Sequence, residues 1–410
     1  MSAGYLSSSG GTMQDTASRV ARLVVDPVRR EESLVRLVRT TLKPEIAGWS
    51  PGGLSRGGAG LALLCSTLDE ARPGEGWDVR AHEFLAAGLD AAGLPDGPLS
   101  LFSGRVGYAA AVWACSRGGT RYRELTEALD ATMLPLMRSL PGRLPSGPSY
   151  YDVVSGISGW VGYLVVRERT PAVDAVCSAV AGELIRLLSP RGIGDLGYLL
   201  EPGRPVVDLG LAHGVAGVLA ALSRLHRRSP DPDSAAAVRW GVDFLMRHVR
   251  DGMWPARVDL KYRPDDGRRS GGGSWCHGDA GIARALYQAG EALDAPDICD
   301  FALEAVRLRC ASPVPVPSPN LCHGLAGRWL LTAAFAEDTG DAVLRSAASS
   351  YADELLGRFR PQSLLGYADV EADGRHVDNP GLLKGAAGVA LALLAADGKE
   401  VPGWARLLLV

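Results

Sequence analysis

Hydrophobic positions along the chain fall into two alternating kinds of segment. One kind is short, small and almost wholly apolar: VLAALSRL after Gly217, IARALYQAG after Gly281 and VALALLAA after Gly388. Such runs offer little polar face to solvent and read as buried helices. The other kind is longer and amphipathic, with charges at helical spacing, as in RYRELTEALDATMLPLMRSL from Arg121 and SAAAVRWGVDFLMRHVR from Ser234. These read as helices with one face on a core and the other in water. No segment alternates with period two for long enough to demand a large sheet.

A Gly-x-x-Gly element precedes each apolar run, and seven copies stand in this setting, with first glycines at Gly57, Gly104, Gly156, Gly214, Gly278, Gly324 and Gly385. A single such element is weak evidence. Seven at quasi-regular spacing, each ahead of an apolar run, define a repeat. A unit of about 50 residues accommodates one helical hairpin with its connections. Glycine suits the start of each buried helix because the missing Cβ permits a tight turn and close packing. The pattern predicts an all-α fold with an inner ring of apolar helices wrapped by an outer ring of amphipathic ones. Ser18 to Leu42 supplies the first outer helix, so residues 1–17 are expected as a flexible tail and 18–410 as one domain. An open helical solenoid that binds proteins is the alternative.

Composition narrows the partners. With 47% apolar and 22% charged residues, the chain has ample material for a large core. A formal net charge of -3 leaves no basic footprint for nucleic acid or an anionic membrane. Met1 to Thr16 is small and polar, unlike a secretory signal, and no run of about 18 apolar residues suggests membrane insertion. A cytoplasmic protein is expected. The cysteines number seven, an odd count. Cys65, Cys115, Cys177 and Cys310 lie in apolar helical stretches, where a reduced thiol acts as a small hydrophobe, so a disulfide framework is disfavoured.

Aligning the repeats on their first glycine exposes the chemistry. The residue just before it is Arg56, Ser103, Ser155, His213, His277, His323 and Lys384 in turn; the residue before that is Ser55, Phe102, Val154, Ala212, Cys276, Cys322 and Leu383. A ring would bring these positions together at one end. Cys276, Cys322 and His323 then form a sulfur and nitrogen donor set suited to zinc, with a fourth tetrahedral position left for water or substrate. Helix N-termini nearby favour thiolate over thiol. Two buried structural thiols are the competing reading. His213 is a candidate acid or base near neutral pH, against a hydrogen-bonded structural histidine. Asp152, four residues before Gly156, is placed either to orient a histidine or to cap the helix that follows.

LAHGVAG at 211–217, SWCHGDAG at 274–281 and LCHGLAG at 321–327 resemble the three signature motifs of the lanthipeptide cyclases, the LanC family, and DVVSGISG at 152–159 resembles a further family element. The resemblance runs from about Gly53 to the C-terminus. It implies an α/α toroid of seven inner and seven outer helices and one catalytic Zn2+ per chain. It also implies zinc ligands at Cys276, Cys322 and His323, with His213 and Asp152 as the active-site histidine and aspartate. The implied reaction adds peptide cysteine thiols to dehydroalanine or dehydrobutyrine, closing thioether rings. A dehydrated precursor peptide with leader and core, and a separate dehydratase, are the implied partners.

Departures from the family pattern are few. Trp275 matches the family's Trp-Cys pair, whereas His277 stands where some cyclases carry tyrosine. Gly271, Gly272 and Gly273 stand where some cyclases carry an active-site arginine, a role for which Arg268 and Arg269 are the nearby candidates. The β-rich insertion of some relatives is expected to be absent or reduced. Two other readings compete: a zinc-dependent thiol-alkylating enzyme of prenyltransferase type, and a non-catalytic peptide- or thiol-binding protein with structural zinc.

Overall fold

A computed structural model describes residues 12–44, 47–91, 97–143, 147–201, 204–260, 272–312, 314–398 and 401–410. Arg268, Arg269 and Gly271 lie outside them. The first helices are α1 (Met13–Val25) and α2 (Pro27–Thr40). Then come α3 (Gly58–Ala71), α4 (Trp77–Ala91), α5 (Arg105–Ala114), α6 (Arg123–Ser139), the short α7 (Pro148–Tyr151), α8 (Ile157–Leu164) and α9 (Pro171–Leu187). The chain continues through α10 (Val215–Arg228), α11 (Pro232–Arg247), α12 (Asp279–Ala292), α13 (Pro296–Ala311), α14 (Leu325–Thr339), α15 (Ala342–Gly357) and α16 (Ala386–Gly398).

Packing sorts these helices into two layers. Each of α3, α5, α8, α10, α12, α14 and α16 contacts the next in that order, and α16 returns to contact α3, so seven inner helices close a ring. Outside it, α4, α6, α9, α11, α13 and α15 each pack on the inner helix before them, and α1 completes the layer against α16. The fold is an α/α toroid. Burial follows the sequence pattern: every residue of α8 is buried, whereas α13 buries only Ile298, Ala302 and Val306. A helix enclosed on all sides must be apolar all round, and one at the surface needs only a stripe.

The N-terminal region differs from the expected single helix starting at Ser18. The Thr12 side chain accepts the Asp15 N–H and starts α1 at Met13, with Thr16 and Ala17 already buried. Asp26 ends that helix and caps α2, whose first residue is Pro27. Proline fits the first helical turn but ends a preceding helix, so one predicted element becomes two.

The paired glycines have a common steric cause. The first of each pair caps the inner helix from an extended conformation, as at Gly104 and Gly214. The second lies on its first turn, where a Cβ on Gly107 or Gly388 would overlap the carbonyl oxygen of Leu101 or Leu382. The turn before each helix folds back onto the helix start, leaving no space for a side chain.

A chain of backbone hydrogen bonds joins these turns. Ser55 N–H donates to Phe102 C=O at 2.9 Å, Phe102 to Val154 at 3.3 Å, and Val153 to Ala212 at 3.0 Å. Ala212 then donates to Cys276 at 3.0 Å, Cys276 to Cys322 at 3.1 Å and Cys322 to Leu383 at 3.0 Å, while Leu382 returns to Ser55 at 2.8 Å. This belt runs once around the end of the toroid where all inner helices begin.

Strands are minor. β1 (Gly197–Glu201), β2 (Arg204–Asp208) and β3 (Arg257–Asp259) form one antiparallel sheet, and β4 (Asp369–Val370) pairs with β5 (His376–Val377). No larger β-rich insertion is present among the described residues. The C-terminal segment Gly403–Leu408 packs against the inner helices α5 and α8. Trp275 Nε1 donates to Leu408 C=O at 2.9 Å, Gln288 Nε2 to Leu409 C=O at 3.0 Å and Arg224 Nη2 to Val410 at 2.8 Å.

Glycine substitutions separate the steric explanation from helix propensity. Gly107→Ala should lower stability by about 3 kcal/mol or more, because packed backbone must move. Gly182→Ala in α9, where an added Cβ meets nothing within 4 Å, should raise it by up to about 1 kcal/mol. Chemical denaturation midpoints of the two variants measure the contrast.

Candidate metal centre and active site

The belt positions side chains in a regular way. At the residue just before each first glycine, the chain surfaces briefly: Arg56, Ser155, His213, His277, His323 and Lys384 are half-buried and Ser103 is exposed, while the glycine after each is buried. These seven side chains form a rim around one end of the toroid. The residues before them, including Cys276 and Cys322, are the belt itself.

Cys276, Cys322 and His323 converge there, with one ligand atom from each within 4.8 Å of the others. Two sulfurs and an imidazole at this separation fit a tetrahedral ion with metal–sulfur bonds of about 2.3 Å and metal–nitrogen bonds of about 2.0 Å. Both cysteines are free thiols and buried, and His323 is partly open. The hydrogen bond from Cys322, helped by His323 and by the charge of His277, holds the Cys276 thiol well below the usual range against the effect of burial. Cys322 is pushed up in return.

His323 is braced from behind. Asn320 Oδ1 accepts its backbone N–H at 2.9 Å, and Asn320 Nδ2 lies 3.2 Å from His323 Nε2. Asn320 is held in turn by Asp369 at 2.7 Å, which also accepts the Ser318 hydroxyl; all three are buried. Such support fixes a ligand's orientation. The turn carrying Cys276 is tied down by Asp279, which accepts the Trp254 N–H at 2.9 Å and pairs with Arg309 at 2.6 Å.

Two histidines of the rim face one another, each on a buried aspartate. Asp152 Oδ2 accepts from His213 Nδ1 at 2.6 Å, and its Oδ1 accepts the Ser155 and Gly156 amides at 2.6 and 3.1 Å. The orienting and capping readings of Asp152 therefore describe one residue doing both. Asp208 repeats the device, lying 3.2 Å from His277 Nδ1 and accepting the Gly210 amide at 2.8 Å. The two rings stack with centroids 5.5 Å apart. Burial pushes the His277 pKa down, but the hydrogen bond and charge of Asp208 outweigh it and the net shift is upward. Burial likewise opposes ionisation of Asp208, and His277, the Gly210 amide and Arg257 bring it below the ordinary carboxylate value.

The small sheet serves this second pair. Asp208 ends β2 directly across from Arg257 of β3, whose guanidinium lies 3.7 Å from the carboxylate. Among the described residues, Arg257 is thus a cation beside the histidine pair, contributed by a strand. Sequence reading missed Asp208, Arg257, Asn320 and Asp369. Asn320 stands four residues before Gly324, as Asp152 does before Gly156, and Asp208 stands six before Gly214, as Asn379 does before Gly385, so both were findable by extending the repeat alignment. Arg257 and Asp369 arrive on the short strands β3 and β4, outside the repeated elements, and carry no such signal.

The chain matches the lanthionine synthetase C-like protein family over residues 48–409, and it belongs to that family. It matches no curated protein sequence. Among solved structures it is similar to nisin cyclase, with a TM-score of 0.77 and 19% identity over 97% of this chain and 98% of that one. It is also similar to the unsaturated glucuronyl hydrolase from Bacillus sp. GL1, with a TM-score of 0.50 and 13% identity over 85% of this chain and 98% of that one. The toroid is common to both likenesses.

Replacing Asp208 by Asn should move the titration midpoint of His277 downward, read by NMR of the metal-free chain. The native pair stabilises the fold most between the lowered Asp208 and raised His277 values, fading as pH rises past the second or falls past the first.

Proposed function

We propose that this chain is a zinc-dependent cyclase that closes thioether rings in a dehydrated peptide. The carrying observation is the convergence of Cys276, Cys322 and His323 at a rim position beside the Asp152–His213 pair. Family membership and the likeness to nisin cyclase support the reading.

Cys276, Cys322 and His323 would hold zinc, whose charge would favour the thiolate form of a substrate cysteine at neutral pH. The protein's own residues supply the rest. Asp152 accepts from Nδ1 of His213, which leaves the other ring nitrogen, Nε2, to serve as the proton-transfer atom. Attack of the peptide thiolate on the β-carbon of dehydroalanine or dehydrobutyrine breaks the C=C π bond and places negative charge on the adjoining carbonyl, and His213, having taken up the proton that the thiol released, delivers it to the α-carbon. Asp152 holds the ring in place for this transfer through its contact with Nδ1. The N-termini of the inner helices all point to this end and favour the developing anion. No helix among the described residues is long and apolar enough to cross a membrane. A separate dehydratase would supply the dehydrated precursor.

Cys322→Ala should release zinc, measured by metal analysis, and abolish consumption of peptide thiols by a dehydrated test peptide. His213→Ala should keep zinc and slow thiol consumption by about 10²- to 10⁴-fold, the usual contribution of a positioned acid or base. Unchanged zinc in the first variant, or normal turnover in the second, contradicts the assignment. Ring closure leaves peptide mass unchanged, so thiols are counted by alkylation and mass spectrometry.

A further inference from the structure

Two rim positions remain without a role. Arg56 and Lys384 occupy the place that His213, His277 and His323 hold in their repeats and are half-buried, each followed by a buried glycine. They flank the belt link from Leu382 to Ser55, and Cys322 is joined to Leu383 by the preceding link. The cationic pair therefore adjoins the Cys322–His323 side of the centre, while Ser103 and Ser155 form a neutral sector beyond. Neither cation makes a hydrogen bond or ion pair with a described residue. Most other arginines at comparable burial are paired: Arg167 with Asp130, Arg228 with Asp174, Arg309 with Asp279. Burial alone pushes the Arg56 pKa down, with no carboxylate to offset it, and the Lys384 charge is felt at Cys322. Half-buried cations without a counter-ion lose hydration and gain no partner, a cost that an anionic ligand removes.

We propose that Arg56 and Lys384 form an anion-recognising sector of the rim that binds a carboxylate of the peptide substrate close to the reacting cysteine. This rests on the reading of the chain as a thioether-forming cyclase, in which a peptide lies across this end of the toroid. Carboxylates are the anions an unmodified peptide carries, and two separated unit charges suit an acidic side chain beside the cysteine. The sector sets substrate preference; the proton transfer belongs to the other side of the rim.

The test uses the full-length, zinc-loaded chain and two fluorophore-labelled synthetic peptides. Each carries one cysteine and one serine in place of the dehydrated residue, and they differ only by Asp or Asn next to the cysteine. Fluorescence anisotropy should show the Asp peptide binding about five- to tenfold more tightly at low salt, with the preference shrinking as salt rises. In Arg56→Gln/Lys384→Gln the ratio should fall to about one, and Arg56→Lys/Lys384→Arg should restore it, with zinc content reporting that the centre is intact. Equal binding of the two peptides by the unaltered chain, or a preference that persists in the double glutamine variant, overturns the proposal. Dehydrated versions of both peptides separate it from the cyclase reading: thiols consumed without an Asp preference defeat this inference alone, and a preference without thiol loss defeats the catalytic reading alone.

Discussion

The belt of backbone hydrogen bonds is the constraint on which the rest of this end of the molecule depends. Each link spans two repeats, so the position of one turn is set by its neighbours on both sides, and the last turn answers to the first. Cys276 and Cys322 are consecutive members, joined N–H to C=O at 3.1 Å. Their sulfurs are therefore brought together by the main chain, before any side-chain preference acts. The glycine pairs serve the same constraint, because a side chain at Gly278 or Gly281 would strike the backbone of the turn that carries Cys276.

On this framework the acidic residues act twice. Asp152 and Asp208 each accept backbone amides of their own turn and also hold a histidine. A carboxylate satisfied by amides is well solvated by the protein and can stay charged while buried. Loop geometry and imidazole orientation are thereby locked together. Asn320 performs the parallel task for His323 in neutral form, with Asp369 behind it.

Much of this was legible in the sequence because the repeat makes positions comparable. The apolar runs at Val218, Ile282 and Val389 announced the inner helices, and alignment on the glycines placed Cys276, Cys322, His323 and His213 on one rim. Asp152 was visible, although its two tasks could not be separated by spacing. What escaped notice came from outside the period. Arg257 reaches the site through strand pairing with Asp208, and Asp369 through a connection after α15. Pairing between distant short strands leaves no local pattern, since three residues of β3 alternate too briefly to signal a strand. The start of α1 at Met13 was likewise set by the Thr12 cap and not by hydrophobic period.

Closure of the ring joins elements from opposite ends of the sequence: α16 packs against both α1 and α3. While the polypeptide is being synthesised, the early inner helices have apolar surface whose partners do not yet exist. An open solenoid could stabilise itself stepwise as each hairpin emerges. Here the seam waits for a contact of very high sequence separation, which slows folding and lengthens exposure of sticky surface. The architecture that gathers its reactive groups on one rim thus carries a kinetic burden borne by the nascent chain.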